Sequence, residues 1–83
     1  MLNSMNNKEK YDRVFIECFS IEANQLGDSL EYNKIPSWDS IGHMSLIAAF
    51  EDTFAIAMET DDIINFSSYN KGKEILSKYG VQL

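Results

Sequence analysis

Ser40 and His43 lie within one helical turn of each other, and their side chains could support nucleophilic or acid–base chemistry. An attacking serine needs a base that is held by a third group, usually beside an oxyanion site. The helical pattern places His43 near the apolar stripe that faces the core, and no G-x-S-x-G elbow surrounds Ser40. We therefore expect His43 to be a partly buried packing residue with one hydrogen bond. We do not expect the chain to be an enzyme.

Asp39 and Ser40 also have a purely structural interpretation. Aspartate and serine are favoured at the N-cap of a helix, because their side-chain oxygens accept hydrogen bonds from amides of the first turn. An apolar segment follows directly from Ile41. Taken in isolation, this pattern favours a capping role for the Asp-Ser pair.

The chain has a single cysteine, Cys18, and a single histidine, His43, which lie far apart in the sequence. One thiol can neither form an internal disulfide nor hold a zinc ion alone, so we expect no metal site. Cys18 falls within an apolar helical stripe, which predicts a buried side chain. This cysteine usage, together with the polar start at Met1–Lys10, predicts a protein of the reducing cytoplasm.

The 83 residues, 45% hydrophobic and 24% charged, are typical of one folded domain, with residues 1–7 expected as a tail. Apolar residues recur at helical spacing almost throughout, which predicts an all-α bundle of three longer helices and one short one. The second helix should begin at Asp39 or Ser40, after a long loop over residues 24–38. The remaining predicted features are an apolar face at Tyr11, Val14, Phe15, Cys18 and Phe19, loop anchors at Leu26, Leu30 and Ile35, caps at Thr60 and at Ser67 or Ser68, and a helix end at Gly80.

The second helix has two apolar faces, although a surface helix of a small bundle needs only one. The face with the bulky side chains is predicted to pack into the core. The opposite face continues into two acidic residues. The loop could bury that opposite face, or a partner could cover it. The core face comprises Leu46, Ile47, Phe50 and Phe54, and the opposite face comprises Ile41, Met44, Ala48, Glu51 and Asp52.

The negative charge is concentrated in the middle of the chain. The formal net charge is −6, and residues 35–70 contain six acids and no Lys or Arg, which also gives −6 for that stretch. This concentration of negative charge could attract a basic partner surface, or it could serve only to keep the domain soluble. It argues against nucleic acid and anionic membranes as partners, because both bind cationic side chains.

The run Trp38-Asp39-Ser40-Ile41-Gly42-His43-Met44 resembles the acyl carrier protein family, whose hallmark is Asp-Ser-Leu at the start of the second helix. Phe50-Glu51-Asp52 and Phe54-Ala55-Ile56 are similar to the family's acidic-aromatic ending, which is close to Glu-Glu-x-Phe-Gly-Ile. Ile63-Ile64, Phe66, Ser67-Ser68 and Tyr69 resemble its short third helix and the start of its fourth. The resemblance covers roughly residues 8–79.

The resemblance implies that Ser40 carries 4′-phosphopantetheine and that Asp39 is the acid beside it. A phosphopantetheinyl transferase would activate the serine, so that the chain itself performs no chemistry. The resemblance also favours the partner interpretation of the second apolar face: Ile41, Met44, Ala48, Glu51 and Asp52 would meet basic patches on loading ligases and acyl-processing enzymes. It implies a monomeric carrier of acyl thioesters in a fatty-acid, polyketide or specialised pathway.

Some residues depart from the family pattern. Ala55 stands where the family often has glycine, so a left-handed backbone there would be strained. Trp-Asp-Ser also occurs in carriers of the D-alanylation type, so an aminoacyl cargo is an alternative, as is an unmodified helical adaptor. We expect Trp38 to pack over the end of the bundle. Leu46, Phe50, Phe54 and Phe66 are candidates to line an acyl chain between the helices.

Overall fold

Four helices form the framework of the computed structural model, which describes residues 5–83. They are α1 at Asn7–Phe19, α2 at Ser40–Phe54, α3 at Thr60–Asn65 and α4 at Tyr69–Ser77. Within the described range, the β structure is one isolated antiparallel bridge between Glu31 and Ser68. The radius of gyration of 11.9 Å is close to the roughly 12 Å expected for a compact chain of this length. The all-α prediction is confirmed.

α1 begins with a capping box in which the Asn6 side chain accepts from the Glu9 amide and the Glu9 side chain accepts from the Asn6 amide. Asn6 and Asn7 therefore belong to the start of this helix, whereas residues 1–4 of the expected tail lie outside the described residues. Tyr11, Val14, Phe15 and Phe19 are buried, as their spacing predicts.

Cys18 differs from its prediction, because its side chain is exposed. It lies in the last turn of α1, which ends one residue later, at Phe19. There the rings of Phe15 and Trp38 pack against Phe19, and the neighbouring thiol is left at the edge of the bundle. Although the residue is exposed, its neighbours remove part of the water around the sulfur, and this desolvation, followed by the charge of Glu17, raises the pKa of the thiol.

The segment between α1 and α2 contains a short 3₁₀ helix at Ala23–Gln25 and is fastened to the junction of α3 and α4. The Tyr32 amide donates to the Ser67 carbonyl at 2.9 Å, and the Tyr69 amide donates to the Leu30 carbonyl at 2.9 Å. Leu30 is buried. These contacts place Tyr32 opposite the end of α3.

The helix ends follow local chemistry, with two corrections. α4 was expected to end at Gly80, but it ends at Ser77, because the amides of residues 78–80 bond to carbonyls three residues back in a tighter turn. Of the two serines expected as the cap of α4, Ser67 and Ser68, it is Ser68 that accepts from the Lys71 amide, at 2.9 Å. Thr60 was expected to cap α3, but it is the first helical residue, and Glu59 occupies the N-cap without a side-chain hydrogen bond. α2 ends at Phe54, and its C-cap residue, Ala55, adopts the left-handed conformation at φ 54° and ψ 49°. Alanine is strained there by its Cβ atom.

The core consists mainly of interlocked aromatic rings. Phe15 lies at its centre, with the rings of Phe50 at 5.5 Å, Tyr69 at 5.4 Å and Trp38 at 5.6 Å between centroids. Aromatic pairs at such distances and tilts are favourable in addition to the area that they bury. The predicted core face of α2 is correct for Leu46, Ile47 and Phe50, which are buried, and Phe54 is half-buried at the edge. The fully buried residues are Tyr11, Phe15, Trp38, Leu46, Ile47, Phe50, Phe66 and Leu76.

Candidate functional site

Ser40 is the first residue of α2, and its side chain is exposed. Asp39 is the N-cap: its Oδ1 accepts from the Gly42 amide at 2.8 Å. The capping role that the sequence pattern could have given to either residue therefore belongs to the aspartate. The hydroxyl of Ser40 makes no hydrogen bond to the described residues 5–83, and it faces solvent beside a pocket.

The backbone packs closely around this helix start. A Cβ atom at Gly42 would overlap the carbonyl oxygen of Ser37. Ser37 in turn donates its hydroxyl to the Phe19 carbonyl at 3.2 Å. The glycine therefore lets the preceding loop lie against the first turn of α2, which fixes the position of Ser40 relative to the bundle.

An apolar pocket of about 430 Å³ opens beside Ser40, between the start of α2, helix α3 and the loop that precedes α2. Met44 and Ile64 stand at its rim with exposed side chains, whereas Phe66 is fully buried. The polar side chains that line the pocket carry hydroxyl groups and, in one case, an imidazole. Its lining residues are Tyr32, Ser40, His43, Met44, Ile63, Ile64, Phe66 and Ser67.

His43 connects three parts of the structure at the pocket wall. Its Nδ1 lies 2.9 Å from Nε1 of Trp38, and its Nε2 lies 2.7 Å from the Ile63 carbonyl oxygen. The indole N–H can only donate and a carbonyl can only accept, so the geometry requires neutral His43 with its proton on Nε2. The expectation of a partly buried packing histidine is confirmed, but the expected number of hydrogen bonds was wrong. There are two.

Trp38 is buried at the end of the bundle, as predicted. Its ring packs against Phe15 and Phe19 and lies nearly parallel to the imidazole of His43, with an angle of 14° between the planes. Since Trp38 does not line the pocket, it supports the site through His43 without contacting the pocket itself.

The second apolar face of α2 is not covered by the loop. Ile41 is 78% exposed, Met44 is 55% exposed and Ala48 is exposed. On α3, Ile64 is 70% exposed and shares the pocket rim with Met44. The apolar surface therefore extends from α2 across the pocket mouth to α3.

The acids of residues 35–70 divide into two groups. Four are exposed: Asp39, Asp52, Glu59 and Asp61. The other two have internal roles: Glu51 accepts from the Met58 amide at 2.8 Å, and Asp62 is paired with Lys78 and Tyr79, directly after α4. Of the acids expected to meet a partner, Asp52 is exposed, and Glu51 is half-buried with its carboxylate engaged.

α3, the outer wall of the pocket, is fastened to the end of α4 by Asp62. Its carboxylate accepts from Lys78 Nζ at 2.7 Å and from the Tyr79 hydroxyl at 2.5 Å. The same hydroxyl accepts from the Glu59 amide at 2.9 Å. The bonds to Lys78 and Tyr79 stabilise the ionised carboxylate and lower the pKa of Asp62.

The structure brings together only some of the residues singled out in the sequence. Ser40, His43, Met44 and Phe66 meet at one pocket, whereas Leu46, Phe50 and Phe54, expected to line an acyl chain, do not line it. Sequence reasoning missed the contributions of Tyr32, Ile63, Ile64 and Ser67. A signal was present, since two adjacent isoleucines on a short helix cannot both face the core.

Within residues 5–83, no group of three or more His, Cys, Asp or Glu side chains is arranged to hold a metal ion. In the same range, no helix is long and apolar enough to cross a membrane. Comparisons with protein-family models, curated proteins and solved structures found no match for this chain.

Proposed function

We propose that this protein is an acyl carrier that holds its cargo as a thioester on a 4′-phosphopantetheine arm attached to Ser40. One observation carries the proposal: Ser40 is exposed on the first turn of α2, Asp39 performs the capping, and the hydroxyl lies at the rim of an apolar pocket. A serine that neither caps a helix nor serves an adjacent base is suited to be a tether.

The surroundings of Ser40 fit a phosphodiester. The amides of Ser40 and Ile41 belong to the first turn of α2 and have no partner within that helix, and the helix dipole is positive there. Both features favour an anion at this position. The carboxylate of Asp39 is directed at the Gly42 amide, so part of its charge is already offset by a hydrogen bond.

The role of the chain in the modification is to present a nucleophile. The Ser40 oxygen forms the new bond to the pantetheine phosphorus of coenzyme A, the pyrophosphate bond breaks, and adenosine 3′,5′-bisphosphate leaves. The hydroxyl proton passes to a base of the transferase, because His43 already uses both ring nitrogens. When bound, the arm supplies the thiol that holds the acyl group.

The exposed apolar face is the proposed docking surface for the transferase, loading ligases and acyl-processing enzymes of the cytoplasm. Ile41, Met44 and Ala48 supply apolar contact, and Met44 can adapt to different partners. Asp52 lies on the same face and would attract basic patches by long-range charge. Glu51 contributes to the local charge while its carboxylate holds the Met58 amide.

A second candidate function is an unmodified helical adaptor. The observation that favours it is the exposed apolar surface of Ile41, Met44 and Ile64, which could dock a basic protein without any arm. In that case Ser40→Asp would leave binding intact, whereas a carrier would lose its function. An aminoacyl carrier differs only in the cargo, and the identity of the ligase that loads the holo protein would distinguish it.

The proposal is tested by incubating the protein with coenzyme A and a broad-range phosphopantetheinyl transferase. The intact mass should rise by one phosphopantetheine group. Ser40→Ala should abolish the gain, and Ser45→Ala, an exposed serine on the same helix, should retain it. No gain in the wild type, or an equal gain in Ser40→Ala, would overturn the proposal.

A further inference from the structure

The hydrogen bond between Trp38 and His43 requires a neutral imidazole. The indole ring is fully buried, and its Nε1–H can only donate. Its acceptor, 2.9 Å away, is Nδ1 of His43, and this nitrogen can accept only while it carries no proton. Nε2 of the same ring lies 2.7 Å from the Ile63 carbonyl oxygen, so the one proton of the neutral ring belongs on Nε2.

Protonation of His43 would affect its two hydrogen bonds in opposite ways. A proton on Nδ1 turns that atom into a donor, which would then face the donor Nε1–H of Trp38. The Nε2–H would still point at the Ile63 carbonyl, and a hydrogen bond from a charged donor is stronger than one from a neutral donor. The cation therefore loses its bond to the loop before α2 and keeps its bond to α3.

The indole of Trp38 is held too firmly to turn toward another acceptor. Its ring packs against Phe15 at 5.6 Å and against Phe19 at 5.3 Å between centroids. The indole and the imidazole of His43 meet edge to edge, since their planes differ by 14° and the bonded nitrogens lie between the two rings. A positive charge on the imidazole would thus approach the positive edge of the indole, and a buried N–H without an acceptor is costly.

The surroundings of His43 hold nothing that would compensate a positive charge on its ring. The rings of Tyr32, from the loop, and Phe66, at the end of α3, lie at 5.5 and 6.3 Å between centroids. The acids nearest in the chain are engaged elsewhere: Asp39 with an amide of the first turn of α2, and Asp62 with two residues that follow α4. Within residues 5–83, no carboxylate forms a hydrogen bond or an ion pair with this imidazole.

The pocket beside Ser40 gives solvent access to the imidazole, because the half-buried His43 lines its wall. Histidine is the side chain whose charge ordinarily changes between pH 5 and pH 8. We propose that His43 is a pH-sensitive link at the start of α2: the neutral ring holds the loop at Trp38, and the protonated ring releases the loop while it stays bonded to α3. Trp38 lies two residues before Ser40, so protonation loosens the backbone that leads to this serine.

The experiment follows the imidazole and the indole of the unmodified chain by ¹⁵N NMR as the pH is lowered from 8 to 5. The chain has one histidine and one tryptophan, so both sets of signals are identified without ambiguity. At the start, the imidazole should show a bare Nδ1 and a protonated Nε2. As the ring gains its second proton, the indole N–H signal should shift and its exchange with water should accelerate several-fold, while the imidazole Nε2–H stays protected.

His43→Gln is the matched control, because its amide offers one donor and one acceptor and does not titrate in this range. All carboxylates remain in this variant, and its indole N–H signal should not change with pH. The same pH-dependent shift in His43→Gln would assign the effect to a carboxylate and overturn the inference. If the variant does not fold, the two rings of the wild type still decide the question.

Three results in the wild type would also overturn the inference. An imidazole that stays neutral over the whole titration would show that His43 does not respond to pH. An indole N–H signal that stays constant while the imidazole gains its proton would show that the link to Trp38 persists. Loss of protection at the imidazole Nε2–H together with the indole would show that α3 is released as well. The inference uses only bonds of the unmodified chain, so none of these results bears on the attachment at Ser40.

Discussion

Nε1 of Trp38 donates a 2.9 Å hydrogen bond to Nδ1 of His43, and this bond joins the buried end of the bundle to the wall of the pocket beside Ser40. The indole is fully buried, so its N–H depends on this imidazole as its acceptor. The other imidazole nitrogen lies 2.7 Å from the Ile63 carbonyl on α3. One side chain thus sets the spacing of the loop, α2 and α3 around the candidate site.

His43→Leu should destabilise the protein by about 1–3 kcal/mol, because it leaves the Trp38 N–H and the Ile63 carbonyl without partners. His43→Gln keeps one donor and one acceptor and should recover part of that loss. Urea unfolding followed by the fluorescence of Trp38, the sole tryptophan, measures both. Equal midpoints for the wild type and both variants would show that the bridge contributes nothing.

Ala55→Gly should stabilise the protein by about 0.5–1 kcal/mol. Glycine removes the Cβ strain at φ 54°, and the entropy that it adds to the unfolded chain offsets part of the gain. The matched control is Ala48→Gly, an exposed position inside α2, which should lose about 1 kcal/mol. Thermal unfolding would contradict this account if both substitutions lowered the melting temperature alike.

Asp62 should make the protein sensitive to acid. Its pKa lies below the ordinary value of 3.8 because Lys78 and Tyr79 bind the carboxylate. Its stabilising contribution is therefore fully present above pH 3.8 and is lost as the pH falls below that value toward the folded-state pKa. Asp62→Asn should flatten this part of the stability profile, and Asp61→Asn, the exposed neighbour, should leave it unchanged.

At the alkaline end, Tyr11 should limit stability. Burial, and then the nearby Tyr69 and Asp12, raise the pKa of its phenol above the ordinary value of 10.0. Its contribution is complete below pH 10 and declines as the pH rises above that value, because the unfolded chain ionises first. Tyr11→Phe should reduce this decline, at the cost of the 2.5 Å bond to the Tyr69 carbonyl. Denaturant midpoints between pH 8 and 11 measure both effects.

Asp52→Lys should slow modification by the transferase several-fold at low salt, if the exposed face of α2 is the docking surface. Electrostatic steering weakens with ionic strength, so the difference from the wild type should shrink as salt is added. Glu22→Lys makes the same charge change at an exposed residue outside that face and is the matched control. An equal effect of both substitutions would assign the loss to net charge alone.

The hydrophobic periodicity was sufficient to predict those features that depend only on residues close together in the sequence. The faces of α1 and α2 and the cap at Ser68 follow from residues within a few positions of one another. Cys18 has the predicted angular position on α1, but its exposure depends on what covers the last turn, which spacing does not encode. The start of α3 was predicted one residue late, with Thr60 as the N-cap in place of Glu59, because the N-cap of this short helix makes no side-chain bond.

The pocket could not be predicted, because residues distant in the chain build it. The bond from the Tyr32 amide to the Ser67 carbonyl sets the register of the loop against the junction of α3 and α4, and no periodic pattern specifies that pairing. The same holds for the second hydrogen bond of His43, whose partner, Ile63, lies 20 residues further along. Ser40, in contrast, was singled out as a candidate from its local motif, and the structure places it beside this pocket.

The intact mass of the protein purified from its own cells tests the central claim most directly. The account predicts a mass above that of the unmodified chain by one phosphopantetheine group, with or without an acyl cargo, and fragmentation that places the addition on Ser40. Treatment that cleaves thioesters should remove any acyl cargo and return the mass to that of the chain with phosphopantetheine alone. A chain found wholly unmodified, or modified at another residue, would contradict the account.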